Sequence, residues 1–304
     1  MAPMRAAATR EKAARAARTS VISNILLTLI KLAAGLLTGS VSVLSEAVHS
    51  GLDLAAAAMA FVAVRKAREP ADREHTFGHG KFESMSGLAE GLLILAAVAL
   101  IVWGAGRKLV TGDIEVSLPL AGAGVMAVSA IVNVFVSRLL FRVARETDSV
   151  ALEADGWHLR TDVWTSLGVL GGMATIDLGM RLGFPEIHHL DPIVALLIAG
   201  LIARASVGII WQSWNHLVDR ALPPADIARI EALLADHYPQ LTGFHRLRTR
   251  QAGHERYVDI HIEVPGKLSV NAAHDLCDHL EGELRELMPG AEILIHVEPG
   301  RDHE

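Results

Sequence analysis

Val41-Ser-Val-Leu-Ser-Glu-Ala-Val-His-Ser-Gly-Leu-Asp-Leu-Ala-Ala-Ala-Ala-Met-Ala-Phe-Val-Ala-Val64 is the stretch on which the fold turns. A helix needs about 20 apolar residues to cross the hydrocarbon core of a bilayer, and this segment is long enough. Apart from Glu46, His49 and Asp53 it holds no ionisable group. Such groups are expensive inside a membrane and are retained where they serve a function.

Outward from it lie five more apolar segments, at residues 20–37, 85–110, 118–141, 150–178 and 192–214. Hydrophobic residues make up 51% of the 304 but aromatics only 5%. The apolar mass is therefore Ala, Leu, Val, Ile and Gly, which suits closely packed bilayer helices. Residues 1–19 are rich in Arg and Ala, and the first apolar run continues through Lys31 without a small-residue cleavage site. It reads as a span, not a signal peptide.

The formal charge of −6 argues against a nucleic-acid binder, and it is unevenly placed. Residues 221–304 carry 15 acids against 8 Lys and Arg, leaving the rest of the chain nearly balanced. Two differently built parts follow. The single cysteine, Cys277, excludes an internal disulfide framework and a thiolate-rich metal cage. Any bound metal must be held by histidines and carboxylates.

Lys and Arg resist translocation and so fix orientation. Arg5, Arg10, Lys12, Arg15 and Arg18 precede the first span; Arg65, Lys66, Arg68, Arg73 and Lys81 follow the second; Arg138, Arg142 and Arg145 end the fourth. The alternate connections are poorer: Thr38-Gly-Ser40 has no base, Arg107 and Lys108 are offset by Asp113 and Glu115, and Arg181 is nearly alone. Both termini are expected in the cytoplasm. The expected division is a basic cytoplasmic segment at 1–19, a six-helix transmembrane domain at 20–215 and a cytoplasmic domain at 216–304.

The tail has a soluble pattern. Ile227, Ile230, Leu233 and Leu234 share one face of a helix expected at 223–238. Tyr257-Val-Asp-Ile-His-Ile-Glu-Val264 alternates strictly, with Val258, Ile260 and Ile262 on one face and Asp259, His261 and Glu263 on the other. Strands are expected at 244–250 and 291–297 and a second helix at 271–288. The order α-β-β-α-β predicts a two-layer α+β domain of ferredoxin-like or metallochaperone-like type.

Three clusters carry chemistry. His49/Asp53 recurs in spacing as His158/Asp162 on the fifth span, which also holds Glu153 and Asp155. Four residues advance a helix by about 6 Å and return to nearly the same face. Two such helices side by side offer a tetrahedral N2O2 set, which suits Zn²⁺. Either pair alone reads equally as an interhelical hydrogen bond. In Pro70-Ala-Asp-Arg-Glu-His-Thr-Phe-Gly-His-Gly-Lys81, Asp72, His75 and His79 either close around an ion or are incidental to a solvated loop. The tail holds 8 of the 15 histidines. His245, His261, His296 and Glu298 on the strands and His274 at a helix start form either a site or a solvated polar face.

Leu44-Ser-Glu-Ala-Val-His-Ser-Gly-Leu-Asp53, the loop 70–81 continuing into Phe82-Glu-Ser84, and Ala154-Asp-Gly-Trp-His-Leu-Arg-Thr-Asp162 together resemble the cation diffusion facilitator family, in its bacterial zinc- and iron-exporting branch. The resemblance covers residues 20–299. It implies a homodimer in the bacterial inner membrane that exchanges a divalent cation for protons by alternating access. It places the transported ion among His49, Asp53, His158 and Asp162, and assigns a loop site to Asp72, His75 and His79. It assigns a cytoplasmic regulatory site to His245, His261, His274, His296 and Glu298, with Glu298 standing where a relative has Asp. It also pairs Lys81 with Asp219 in a charge interlock near the dimer contact. Where some relatives carry only Asp on the second span, His49 adds a nitrogen, which favours Zn²⁺ over Cd²⁺ and Mn²⁺ and leaves Fe²⁺, Co²⁺ and Ni²⁺ open.

Two other classes compete. An intramembrane metalloprotease needs His-Glu-x-x-His, and no such string occurs, so no enzyme is expected. A non-transporting membrane metal sensor would carry the same ligands without flux.

Overall fold

A computed structural model describes residues 2–38, 41–111, 120–182 and 190–300. Six long helices come first: α1 (Ala2–Thr38), α2 (Val41–Ala67), α3 (Lys81–Thr111), α4 (Leu120–Thr147), α5 (Val150–Leu182) and α6 (Leu190–Leu217). A smaller set follows: α7 (Pro224–Ala235), β1 (Gly243–Ala252), β2 (Glu255–Val264), α8 (Val270–Leu287) and β3 (Glu292–Pro299). They fall into two units, Met1–Trp214 and Asn215–Glu304.

In the first unit, polarity is inverted relative to a water-soluble bundle. Leu37, Leu100, Trp103, Phe135 and Leu197 face outward, while Ser50, Asp53, Glu83, Glu90, Asn133 and Asp155 are buried. An apolar surface of this extent is stable against lipid and not against water. Among the described residues five helices are long and apolar enough to cross a membrane, namely α1, α2, α3, α4 and α6. The remaining long helix, α5, carries Glu153, Asp155, Arg160 and Asp162 in its first half. Residues 39–40, 112–119 and 183–189, which belong to the connections compared for orientation, lie outside the described residues, as does the side chain of Glu46.

Small residues set the packing. A Cβ on Gly87 of α3 would stand 2.7 Å from Ser213 Oγ, and one on Gly91 2.7 Å from Ile210 Cγ1, both on α6. Ser206 Oγ donates to the Gly91 carbonyl at 2.6 Å. Gly87 and Gly91 thus form a Gly-x-x-x-Gly seam that lets two backbones approach.

The first helix begins well before the expected span. Residues 2–19 continue α1 because Ala is the strongest helix former. Ala13, Ala16 and Ala17 are buried in one cluster with Val64, Leu140 and Leu152. Lys12 is paired with Glu146 and Arg15 with Glu11.

In the second unit the strand order is β1-β2-β3, with β1 antiparallel and β3 parallel to β2. Alternation on β2 buries Val258, Ile260 and Ile262 against Ile230, Leu234, Leu280 and Leu284 from the helices. The helical layer covers that face and leaves the other polar. Helix α7 starts on Pro224 at its first turn, where a missing N–H costs nothing. Helix α8 is capped by Ser269 Oγ, which accepts from Ala272 N–H at 3.2 Å.

Candidate metal centre

Helices α2 and α5 bring the two His-x-x-x-Asp pairs to one point. His49, Asp53 and Asp162 each place a donor atom within 4.8 Å of the others. His49 Nε2 stands 3.8 Å from Asp53 Oδ1. His158 Nε2 lies 3.2 Å from the same oxygen, so Asp53 is shared by both imidazoles. The Asp53 side chain is 7% exposed and that of His49 54%, which gives the cluster a buried floor and an open side. Asp162 Oδ2 is buried without a hydrogen-bond partner. A buried carboxylate oxygen left in this state costs free energy until a proton or cation reaches it. The donor set fits a borderline divalent ion.

Around this centre are polar groups that sequence reading did not assign to a site. Lys31 Nζ donates to Ser50 Oγ at 2.7 Å, next to His49 in the chain. Glu90 of α3 is fully buried and accepts from Ser86 Oγ at 3.2 Å. Away from the centre, beside the α2–α3 loop, Arg68 and Glu83 form a buried pair at 3.5 Å. Each was visible as an ionisable residue in or beside an apolar span. A separate cavity of about 560 Å³, lined by Trp157, Arg160, Trp164 and Arg204 among others, contains none of the four candidate ligands.

The α2–α3 loop assembles its three expected residues. Asp72 Oδ1 accepts the backbone N–H of Glu74 at 2.9 Å and of His75 at 2.6 Å, and the loop turns at Gly78 with φ 77°. His75 Nδ1 is 3.4 Å from Asp72 Oδ1 and His79 Nε2 is 3.3 Å from Oδ2. The backbone N–H of His75 and then of Glu74, with the two imidazoles, hold the Asp72 carboxyl below its ordinary range. His79 is buried, yet neither of its ring nitrogens makes a hydrogen bond. That orphaned imidazole beside a carboxylate fits a cation.

In the second unit, His245, His261 and His296 stand side by side across the three strands. Their rings are 5.3 Å and 4.6 Å apart. Glu298 reaches all three, at 2.8 Å to His261 Nδ1, 3.4 Å to His245 Nε2 and 3.6 Å to His296 Nε2. The hydrogen bond from His261, then the neighbouring imidazoles, lower the Glu298 pKa. Glu263 adds a contact of 3.1 Å to His245 Nδ1 that sequence reading did not single out. The extra methylene of Glu298 thus lets one carboxylate serve the whole row. His274 stands on α8, its Nε2 3.7 Å from Asp278. Asp219 accepts from Arg250 at 3.2 Å.

A helical membrane unit with buried histidine–carboxylate clusters, joined to an α+β unit with a histidine row, defines a metal-handling membrane protein. Comparison with known proteins makes this specific. Residues 17–218 match the cation efflux transmembrane domain and residues 222–300 the cytoplasmic domain of cation efflux proteins. The chain belongs to the cation efflux, or cation diffusion facilitator, family; it is a cation efflux pump and not an enzyme, and its C-terminal domain is cytoplasmic. It is 36% identical to an uncharacterized transporter of Synechocystis over 90% of this chain and 86% of that one. It is 34% identical to the cation-efflux pump FieF of Salmonella typhimurium over 93% and 91%. The metal-bound C-terminal domain of the CzcD transporter from Thermotoga maritima matches at 31% identity, covering 27% of this chain and 100% of that one, with a TM-score of 0.25.

Proposed function

We propose that the exported ion is Zn²⁺, held by His49, Asp53, His158 and Asp162, and that a homodimer exchanges it for protons by alternating access. The observation that carries this reading is the shared carboxylate: His49, Asp53 and Asp162 converge while His158 lies 3.2 Å from Asp53. Whichever partner carries it, one proton occupies the His158–Asp53 contact. A metal that takes both as ligands must move that proton: it leaves the site from an imidazolium–carboxylate pair and shifts to Nδ1 in a neutral ring. In the inward-facing state, at near-neutral cytoplasmic pH, the site loads metal; facing a more acidic exterior, returning protons compete it off. Fe²⁺, Co²⁺ and Ni²⁺ fit the same donors less selectively.

The proposed setting is the bacterial cytoplasmic membrane with both termini inside. The loop set Asp72, His75 and His79 and the sheet set His245, His261, His296 and Glu298 are proposed as cytoplasmic metal sites, with His274 on α8 as a further ligand of the latter. In this reading the tail neutralises part of its negative charge when zinc binds and draws two copies together. Lys81 and Asp219 are proposed as an interlock. Lys81→Asp or Asp219→Lys alone should reduce flux several-fold, and the charge-exchanged double variant should recover it; failure of recovery removes the interlock.

Proteoliposomes loaded with a zinc-sensitive dye test the main reading. Zinc uptake should respond to an imposed pH gradient and fall at least about 10-fold in Asp162→Asn, a loss of about 1.4 kcal/mol or more. Flux indifferent to both the gradient and the substitution would overturn the proposal, and binding without flux would favour a sensor.

A further inference from the structure

The helical layer of the cytoplasmic domain carries a histidine–carboxylate cluster on the side away from the histidine row. His237 follows α7 by two residues, and His279 and Glu283 are one turn apart on α8. Their donor atoms lie within 4.8 Å of one another. Glu283 turns one oxygen to each imidazole: Oε2 is 3.3 Å from His237 Nε2, and Oε1 is 3.3 Å from His279 Nε2. Ligands about 2.0–2.1 Å from a tetrahedral ion stand roughly 3.3–3.4 Å from each other. The observed approaches therefore leave the space that one ion fills.

The second nitrogen of His237 fixes the chemistry. Nδ1 is 2.9 Å from the Leu233 carbonyl, and a carbonyl only accepts, so Nδ1 carries the proton. In the neutral ring Nε2 then presents a lone pair to the Glu283 carboxylate. Two acceptors at 3.3 Å repel unless a proton or a cation lies between them. A histidine whose other nitrogen is tied to a backbone carbonyl is also how metal-binding imidazoles are oriented. One carboxylate, moreover, neutralises only one of two imidazolium rings, whereas one divalent ion satisfies all three donors at once.

Access and rigidity agree with this. The His237 side chain is 13% exposed and that of His279 60%, so one ligand is fixed in the layer and the other opens to solvent. Cys277, Leu280 and Leu284 anchor the opposite face of α8 in the core. The site is thus held by packed elements and has a free position for water.

We propose that His237, His279 and Glu283 form a further divalent-cation site, for Zn²⁺ or a similar borderline ion such as Co²⁺ or Ni²⁺, which pins the end of α7 to α8. Its donor set lacks the oxygen excess that Ca²⁺ and Mg²⁺ require. It stands independently of the transport reading, because none of its residues belongs to the transport, loop or histidine-row clusters.

The test uses the full-length chain in detergent, stripped with chelator and dialysed against Zn²⁺, with ions per chain counted by mass spectrometry. His279→Ala and Glu283→Gln, both at solvent-facing positions, and the milder His237→Gln should each bind one zinc ion fewer than the parent. Repeating His279→Ala in a His261→Ala, Glu298→Gln background separates this site from the histidine row. Zinc should also slow amide exchange across residues 233–237 and 276–283 in the parent and not in the variants. Equal zinc counts and equal protection in parent and variants, with matching melting curves in chelator, would overturn the proposal. Zinc flux measured on the same samples reports separately on transport.

Discussion

At the residue scale, Asp53 decides more than its position in a repeated motif suggests. It is the floor of the cluster, 3.2 Å from the His158 ring and 3.8 Å from that of His49, so the metal choice falls to the ligand with more freedom, His49. Replacing His49 by Asp exchanges a borderline nitrogen for a hard oxygen. In competition transport assays the variant should lose several-fold preference for Zn²⁺ over Mn²⁺; an unchanged ratio would place selectivity elsewhere. In the tail, Glu298 supplies a pH signature. The His261 hydrogen bond and nearby imidazoles depress its pKa below the ordinary 4.5. A depressed carboxyl contributes its stability fully above the unfolded value and loses it as pH falls through the folded one. In chelator, the parent should therefore melt higher than Glu298→Gln near neutrality, and the two curves should converge as pH is taken well below 4.5. A constant offset would mean that Glu298 acts by packing, not charge.

At the element scale, the helices and strands were legible because their periods are strong. Twenty-residue apolar runs admit few folds, and the alternation from Tyr257 to Val264 admits only a half-buried strand. Residues 2–19 were read as a separate basic segment because charge marks the membrane boundary, but charge does not end an Ala-rich helix. The two membrane pairs were legible because each repeats within one helix turn. By contrast, the His237 cluster joins residues far apart in sequence, which spacing alone cannot reveal. Glu90 was missed for a related reason: it is the one acid in residues 85–110, with no histidine four residues away. Close helix approach at Gly91 yields a test at this scale. Gly91→Val forces atoms into Ile210, where even a Cβ stands 2.7 Å away, and should destabilise by about 1–3 kcal/mol. Gly104→Ala on the same helix meets nothing within 4 Å and should leave the melting temperature in detergent unchanged or slightly raised. Equal effects of the two would remove the seam.

At the scale of the whole molecule, metal and proton are linked through the site itself. The His158–Asp53 contact holds a proton that a metal must replace, while the unpaired Asp162 oxygen awaits a charge of the opposite sign. If the contact is an imidazolium–carboxylate pair, zinc binding to the full chain releases that proton, and the apparent Kd should weaken about 10-fold per pH unit of acidification for each proton released. Calorimetry in two buffers of different ionisation enthalpy counts those protons directly. The cytoplasmic histidines release protons too, so the count must be taken against a chain carrying Asp53→Asn and His158→Gln together. This leaves the tail and loop ligands in place and removes only the membrane contribution. The difference between the two chains is the coupling stoichiometry available to transport. A difference of zero would mean that the proton between His158 and Asp53 stays in the site, shifted to Nδ1 of a neutral ring, and a pH gradient could then not drive export through this contact.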